Sequence, residues 1–526
     1  MSFSLPTLSR RRLIAIAILG LALAMRLWDL RARALWFDEA SEYWIATAPW
    51  SHLVASARDG SGDPPLYSFL LHAWMQAGSG EVWLRMLSVV VSMSGVAAVM
   101  LLARAFAGPV AALAAGLLLA VLPADTHYAQ EAGQYGWVPA AVAWNLFSLL
   151  KMMREGGWRW VLAWTGTALA ASYLYYGAVF PIAGAFLCVV TECVLRRDVR
   201  TRRVTGTALV LYVAGLVPLL ISYLPTQLAR VMESGGAGSA TPDEAAGFMA
   251  IVHRKWQMAS ELIAFQFTGW PHTHIPSGVI VAPVLLMMFV AIRRSWRLIV
   301  WFAVAINLYA AADAIGVFPL GYRWGVILTP LIICAIATGL VAPGRKWMQW
   351  AMVAVFAALV ATCVVSLPNR TLRDRVYADP AGTWPETEDM RVVANYWMQH
   401  RTPDQPTYVY YGAAPAFAYY TREFAPREGL PSTWHFACWH DADPPAFCSD
   451  HGVYYGRWIR RLEKEDKVAS AFTTLEGRPD SFWIVFGHLV PGDDREMIDG
   501  FKYQGYHLEA AVNAVNASAC LLIRDR

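Results

Sequence analysis

The sequence predicts a polytopic α-helical membrane protein of about 11 transmembrane helices, followed by a small α/β domain outside the cytoplasm. Of its 526 residues, 57% are hydrophobic and 16% are charged, whereas soluble domains average about 45–50% and about 25%. Residues 1–367 carry repeated apolar runs, and residues 368–526 return to the composition of a soluble domain. This composition excludes a disordered, collagen-like or disulfide-scaffold chain, and a net charge of +4 gives no sign of a nucleic-acid partner.

Apolar runs of roughly 15–22 residues, close to the ~20 that cross the hydrocarbon core, define the predicted spans. They lie at 12–30, 83–103, 108–123, 136–150, 160–176, 178–195, 205–224, 276–292, 298–312, 324–341 and 347–367. With the N-terminus in the cytoplasm, the short basic clusters fall on alternate, cytoplasmic loops, as the positive-inside rule requires. These clusters are Arg10–Arg12, Arg104, Lys151–Arg159, Arg196–Arg203, Arg293–Arg297 and Arg345–Lys346. The odd number of spans places residues 368–526 on the periplasmic or extracellular side of the inner (plasma) membrane.

The first span has a second interpretation as a cleavable signal peptide. Three arginines precede a 13-residue apolar core from Leu13 to Met25, and Ala32-Arg33-Ala34 follows it. Both interpretations export the same downstream segments, so the orientation does not depend on the choice.

The C-terminal domain combines strand and helix patterns. YVYYGAAPAFAYY and SFWIVFGHL are apolar runs typical of buried strands, and DMRVVANYWMQHR has the pattern of an amphipathic helix. Cys438 and Cys448 lie ten residues apart in this domain and favour a disulfide in an oxidising compartment; a zinc site with a nearby histidine and unpaired thiols are the alternatives. Cys188, Cys193, Cys334 and Cys363 lie in apolar spans and are predicted core residues.

The first outer loop, residues 31–65, mixes acids with aromatic residues. Its acidic residues are Asp38, Glu39, Glu42, Asp59 and Asp63. A carboxylate beside Leu35-Trp36-Phe37 at the lipid boundary loses hydration, which raises its proton affinity and suits it to act as a base. The tryptophans are typical of an interfacial anchor. Asp63 precedes Pro64-Pro65 and is either a functional acid or an ordinary helix N-cap.

The second outer loop reads ADTHYAQEAGQYG after Pro123. Its residues His127, Glu131 and Gln134 are spaced to line one face of a helix, a stripe that would suit sugar hydroxyls. Tyr128, Gln130 and Tyr135 belong to the same loop and are further candidates for substrate binding. The alternative is a solvated helix start capped by Asp125.

Two later loops carry basic residues. The third outer loop, 225–275, holds a Gly/Ser stretch that could order over a substrate, followed by His253, Arg254 and Lys255. This triplet could meet a phosphate or lipid headgroups. A fourth loop ends in Gly321-Tyr322-Arg323-Trp324, where the arginine is either a snorkelling anchor or a two-point phosphate ligand.

These motifs, in this order, resemble those of the GT-C glycosyltransferases that use lipid-phosphate sugars. The pattern is similar to the branch containing protein O-mannosyltransferases and lipid A aminoarabinose transferases, and it covers residues 10–340. The resemblance implies a GT-C fold, with Asp38 as catalytic base, Glu39 as its support or a substrate ligand, and Asp63 as the acid before Pro-Pro. It further implies that Arg85 and Arg323, with Tyr322 and Lys255, hold the donor phosphate. Similar bacterial sequences often have arginine where this chain has Gly133, which shifts phosphate binding towards Arg323 and Arg85.

The expected reaction moves a sugar from a polyprenyl phosphate to an acceptor hydroxyl on the extracytoplasmic side. One carboxylate takes the acceptor proton, arginines stabilise the departing phosphate, and a single displacement inverts the anomeric centre. We expect no metal and no cofactor, and the partners are the lipid-linked donor and an acceptor glycan, lipid or protein. The alternatives are an O-antigen ligase or polysaccharide polymerase, and a lipid or solute transporter. A transporter would need ionisable groups near the midplane, for which Asp313 and Asn307 are the modest candidates.

Overall fold

The computed structural model describes residues 10–59, 63–195, 199–227, 248–269, 275–319, 321, 323–367, 388–422, 449–450, 452–456, 464–489 and 492–526. The chain divides into two compact units. The first unit comprises Met1–Trp28, Gly62–Tyr67 and Arg85–Arg370. The second unit comprises Asp29–Ser61, Ser68–Leu84 and Thr371–Arg526. Cys438, Cys448 and Tyr322 lie outside the described residues, so the predicted disulfide and the role of Tyr322 stay predictions.

The helices from the N-terminus to the end of the apolar region follow closely on one another. They are α1 (Arg10–Leu27), α2 (Phe37–Ala46), α3 (Leu53–Asp59), α4 (Leu66–Met75), α5 (Glu81–Ala107), α6 (Pro109–Ala120), α7 (Pro123–Ala129), α8 (Val138–Glu155), α9 (Trp158–Leu174), α10 (Val179–Leu195), α11 (Val199–Ser222), α12 (Phe248–Thr268), α13 (Ser277–Ala314), α14 (Thr329–Val341) and α15 (Lys346–Ser366). Short 3-10 turns occupy Gln134–Gly136, Tyr176–Ala178 and Arg323–Leu328.

The protein is a multi-pass membrane protein. In the described part of the chain, six helices are long and apolar enough to cross a membrane, or up to seven if α6 and α7, bent by 64°, form one span. A helix occupies each of the predicted apolar runs, but the runs 276–292 and 298–312 share α13, which is kinked at Ser295. The count of eleven spans stays a prediction, because α9 has only 17 residues and α1 and α8 have only 18 each and carry several charges.

The core of the first unit surrounds α14, whose residues from Thr329 to Gly339 are all buried. Helix α13 approaches α14 so closely that a Cβ on Gly339 would lie 2.2 Å from the Met287 carbonyl oxygen. Glycine therefore lets the two backbones meet, as small residues do between membrane helices. The cysteines predicted for the core, Cys193, Cys334 and Cys363, are buried, and Cys188 is half-buried.

The second unit contains a six-stranded mixed sheet. Its strands are β1 (Thr407–Val409), β2 (Ser449–Asp450), β3 (Val453–Tyr455), β4 (Ser481–Gly487), β5 (Tyr506–Ala514) and β6 (Ala517–Arg524). Their spatial order is β2-β3-β1-β4-β6-β5; β1 runs parallel to β3 and β4, and the other pairs are antiparallel. The helices of this part of the chain are α16 (Met390–His400), α17 (Ala414–Tyr420), α18 (Lys464–Thr474) and α19 (Asp493–Tyr503).

The sheet confirms most of the α/β prediction and corrects one element. SFWIVFGHL contains β4, and DMRVVANYWMQHR contains α16. The run YVYYGAAPAFAYY is not one strand: β1 ends at Val409, the chain turns, and Ala414 begins α17. Pro415 explains the difference, because proline lacks an N–H for a strand ladder and suits the first turn of a helix.

Candidate functional site

Asp38 and Glu39 lie in the first turn of α2, just after the extended residue Trp36. Asp38 is half-buried, whereas Glu39 is only 2% exposed. The N-terminus of a helix carries partial positive charge, which favours negatively charged side chains there. The predicted base therefore sits in a setting that supports a carboxylate while reducing its contact with water.

Side chains from the C-terminal sequence hold α2 in place within the second unit. The indole N–H of Trp44 donates to the Pro415 carbonyl at 3.0 Å. The Leu35 backbone N–H donates to the Tyr420 hydroxyl at 2.6 Å, and this hydroxyl donates to the Glu81 carboxylate at 2.6 Å. Arg391 pairs with the same carboxylate at 2.9 Å. The backbone leading into α2 is therefore fixed by a chain of hydrogen bonds that ends in an ion pair.

The residues beside Asp38 contact the end of β4. The Phe37 ring stacks on the His488 ring with centroids 4.5 Å apart, and Trp36 lies 6.0 Å from the same ring. His488 is buried. Sequence reasoning missed this histidine, although its place directly after the strand-like SFWIVFG marked it as the end of a buried strand.

A second group of predicted residues comes together in the first unit, and we call it the Asp63 cluster: Asp63, Gln134, Tyr135, Tyr175 and Arg323. The Gln134 amide donates to the Asp63 carboxylate at 2.7 Å. The Arg323 guanidinium lies over the Tyr135 ring, 5.3 Å from its centroid, and the charges of Asp63 and Arg323 both act on the Tyr175 hydroxyl. The cluster thus joins an acid, an amide, phenols and a cation, groups that can bind sugar hydroxyls and a phosphate.

Tyr175 is the member of the Asp63 cluster that sequence reasoning missed. It stands between α9 and the Tyr176–Ala178 turn, and its ring packs 5.6 Å from that of Tyr135. A Cβ on Gly177 would lie 2.7 Å from the Tyr175 ring. The Tyr-Gly step between two apolar runs was the available signal, because it interrupts the helix at this point.

The helical stripe predicted in the second outer loop is wrong. Helix α7 ends at Ala129 and a 3-10 turn begins at Gln134, so His127, Glu131 and Gln134 do not share one helix. All three are buried, which also excludes the alternative of a solvated helix start. The break occurs because the four residues after Ala129 do not continue the i to i+4 ladder.

Two residues of the second loop anchor α1. Asp125 forms a buried ion pair with Arg26, and Arg26 also donates to the Ser92 hydroxyl at 2.9 Å. The Gln130 amide lies 2.7–3.1 Å from the carbonyls of Met25, Arg26 and Trp28, at the end of the helix. Gln130 therefore satisfies carbonyls that α1 leaves open at its C-terminus; its binding to substrate stays a prediction.

The remaining predicted ligands occupy three settings. Lys255 forms an ion pair with Asp313, which joins α12 to α13 and neutralises the charge expected to meet a phosphate. Arg85 is only 1% exposed near the start of α5. Tyr128 is buried and packs 5.6 Å from Tyr135, beside the Asp63 cluster. Among the described residues, no group of three or more His, Cys, Asp or Glu side chains is arranged to hold a metal ion.

Solved structures with a similar fold share little sequence identity with this chain. The crystal structure of ArnT from Cupriavidus metallidurans bound to undecaprenyl phosphate aligns over 96% of this chain and 97% of that chain, with a TM-score of 0.55 and 15% identity. The archaeal oligosaccharyltransferase AglB from Archaeoglobus fulgidus, in complex with an inhibitory peptide and a dolichol-phosphate, aligns over 97% of this chain and 74% of that chain, with a TM-score of 0.52 and 12% identity. No protein-family model and no curated protein matches the chain.

ArnT and AglB are both GT-C fold enzymes. The likeness extends over nearly the whole of this chain and includes both its helical and its C-terminal parts. The protein therefore has the GT-C fold, as its motifs predicted.

Proposed function

We propose that the protein is a membrane glycosyltransferase that moves a sugar from a polyprenyl-phosphate donor to an acceptor hydroxyl. The observation that carries this proposal is the alignment with ArnT bound to undecaprenyl phosphate over 96% of this chain. AglB, the other similar structure, is in complex with a dolichol-phosphate, a lipid phosphate of the same chemical class. The acceptor is a glycan, a lipid or a protein on the extracytoplasmic side of the inner membrane.

In the proposed reaction, the acceptor hydroxyl attacks the anomeric carbon of the donor sugar. The new carbon–oxygen bond forms while the bond between that carbon and the phosphate oxygen breaks, and the single displacement inverts the anomeric centre. Asp38 takes the hydroxyl proton, and the lipid phosphate leaves with the bonding electron pair. General-base catalysis of this kind contributes roughly 10²–10⁴-fold to a rate.

Arg323 is the proposed ligand of the departing phosphate, with Arg85 as a second cation. A guanidinium is planar and presents paired N–H donors that match two phosphate oxygens. Stacking on Tyr135 orients the Arg323 guanidinium, so less side-chain freedom is lost when phosphate binds. Lys255 contributes less to the phosphate site than a solvated lysine would, because Asp313 already balances its charge.

Asp63 and Gln134 are the proposed ligands of the donor sugar. Their hydrogen bond of 2.7 Å holds the two side chains together. A carboxylate accepts from sugar hydroxyls, and an amide both donates and accepts. Glu39, His127, Tyr128, Gln130, Glu131 and Tyr135 complete the set of proposed substrate ligands.

The direct test uses purified protein and undecaprenyl-phosphate-linked sugars with a radiolabelled sugar. We expect the protein to bind undecaprenyl phosphate, to transfer label to an acceptor fraction from the same membrane, and to release undecaprenyl phosphate. Binding without transfer, together with movement of the labelled lipid across a vesicle bilayer, would favour the transporter. Transfer only from a diphosphate-linked oligosaccharide would favour the ligase or polymerase.

The same assay tests the role of metal. We expect transfer to continue after chelator treatment, because the proposed mechanism uses a carboxylate base and arginine cations. Asp38, Glu39 and Asp63 carry hard oxygen ligands that magnesium or calcium accepts. Activity that is lost with chelator and restored by one added ion would recast Asp38 as a metal ligand.

A further inference from the structure

Glu388 is a buried acid that the proposed reaction does not use. It lies two residues before α16 and is 4% exposed. The next residue, Asp389, donates its backbone N–H to the Val515 carbonyl at 2.8 Å, which ties this stretch to the turn between β5 and β6. Within the described residues, no side chain donates a hydrogen bond to either carboxyl oxygen of Glu388.

Glu388 shares its surroundings with Asp38 and His488. The backbone N–H of His488 and the charge of Asp38 both act on the Glu388 carboxyl. His488 has a positive φ of 49° directly after β4, and its ring stacks on Phe37, the residue before Asp38. We call Asp38, Glu388 and His488 the acid pair cluster. All three belong to the second unit, although they come from widely separated parts of the sequence.

The surroundings of Glu388 favour its neutral form. Burial raises the pKa of Glu388 well above its usual value, and the negative charge of Asp38 raises it further, whereas the His488 N–H acts in the opposite direction. Two nearby carboxyls that cannot both ionise easily divide their roles, one charged and one neutral. Asp38 is the more exposed of the two and lies at a helix N-terminus, which favours its charged form.

We propose that Glu388 is a positioning residue that remains a neutral acid beside Asp38, so that the pair carries a single negative charge and that charge resides on Asp38. The C-terminal sequence thereby sets the proton affinity of the acid in the first outer loop. The name of base for Asp38 rests on the proposed function, but the charge state of the pair does not.

The first test compares thermal unfolding of the purified full-length protein with that of Glu388→Gln across pH. A buried acid with a raised folded-state pKa stabilises the fold fully below its unfolded pKa of about 4.3, and this stabilisation is lost as pH rises. The glutamine variant lacks this titration. We therefore expect its unfolding temperature to gain on that of the wild type from about pH 5 to about pH 8.

Two controls separate the proposal from a general effect. Glu509→Gln changes an exposed acid of the same unit, and its difference from the wild type should stay constant with pH. In an Asp38→Asn background, the gain from Glu388→Gln should shrink, because the neighbouring charge is gone. A constant difference for Glu388→Gln, or a gain that Asp38→Asn leaves unchanged, would overturn the proposal.

A second measurement does not depend on the folding of any Glu388 variant. Infrared spectra of the wild type should contain the carbonyl band of a protonated carboxyl that persists at neutral pH. The titration midpoint of that band should fall in Asp38→Asn; an unchanged midpoint would contradict the coupling. Neither readout requires a sugar donor, so a protein that failed to transfer sugar would refute the proposed function and leave this inference standing.

Discussion

At the scale of single residues, burial and helix position give chemically identical acids different tasks. Asp38 is half-buried at a helix N-terminus, Asp63 accepts a hydrogen bond from Gln134, and Asp125 balances the buried charge of Arg26. Only Asp38 stands at the start of a buried helix with a second, more deeply buried acid acting on it. We therefore place the proton-accepting role on Asp38.

Asp38→Asn tests that role. The change preserves the size of the side chain and removes its ability to take a proton, so transfer should fall by about 10²-fold or more. Initial rates with a saturating lipid donor measure the loss. Asp29→Asn is the matched control, since Asp29 is an exposed acid of the same loop. Transfer within about threefold of the wild type would move the base to Glu39 or Asp63.

Arg323 variants test phosphate binding. Arg323→Ala removes the cation and should weaken binding of undecaprenyl phosphate by about 10- to 100-fold, the range expected for hydrogen bonds to a charged group. Arg323→Lys keeps the charge without the planar fork and should weaken it less. Binding is measured with the purified protein, and Arg294→Ala, which changes an exposed arginine of α13, is the control. Equal affinities for all three variants would assign Arg323 to lipid headgroups alone.

At the scale of elements, breaks in helices matter more for the site than the helices do. The break between α7 and the Gln134–Gly136 turn carries Gln130 to the end of α1 and Gln134 to Asp63. The break after α9 carries Tyr175 to Tyr135. A continuous helix over either stretch would point these side chains in directions fixed by a 3.6-residue period.

Close contact between α13 and α14 can be tested with one methyl group. Gly339→Ala places a Cβ 2.2 Å from the Met287 carbonyl oxygen, so the helices must separate, and overpacking of this kind costs about 1–3 kcal/mol. The unfolding temperature in detergent should fall. Gly206→Ala, in α11, meets no atom within 4 Å and should leave it unchanged or raise it slightly. Equal unfolding temperatures for both variants would show that the two backbones are not in close contact.

At the scale of the whole molecule, the distribution of basic residues sets the orientation we propose. The basic clusters from Arg10 to Lys346 fall on one side only if the span count is odd. The N-terminus then faces the cytoplasm, and the C-terminal sheet lies on the opposite side with the acceptor.

Single cysteines test this orientation in a background without Cys438 and Cys448. With a membrane-impermeant reagent on intact cells, whose outer membrane is permeabilised where there is one, Glu509→Cys should be labelled, because it is exposed in the C-terminal sheet. Arg200→Cys and Arg345→Cys should be labelled only after the cells are opened. Labelling of Arg200→Cys together with Glu509→Cys in intact cells would refute the span count and the orientation together.

The sequence by itself determined the membrane class, the positions of the helices, the order of the motifs and the presence of a C-terminal α/β part. Each of these depends on hydrophobicity or local pattern along a short stretch, which needs no knowledge of distant residues. The tertiary structure alone decided which distant side chains meet: Gln134 with Asp63 across 71 residues, Arg26 with Asp125 across 99, and Tyr420 with Leu35 across 385. It also brought Glu388 and His488 to Asp38. Such contacts are set by how helices and strands pack to bury their apolar faces and satisfy their polar groups, and no local pattern encodes them.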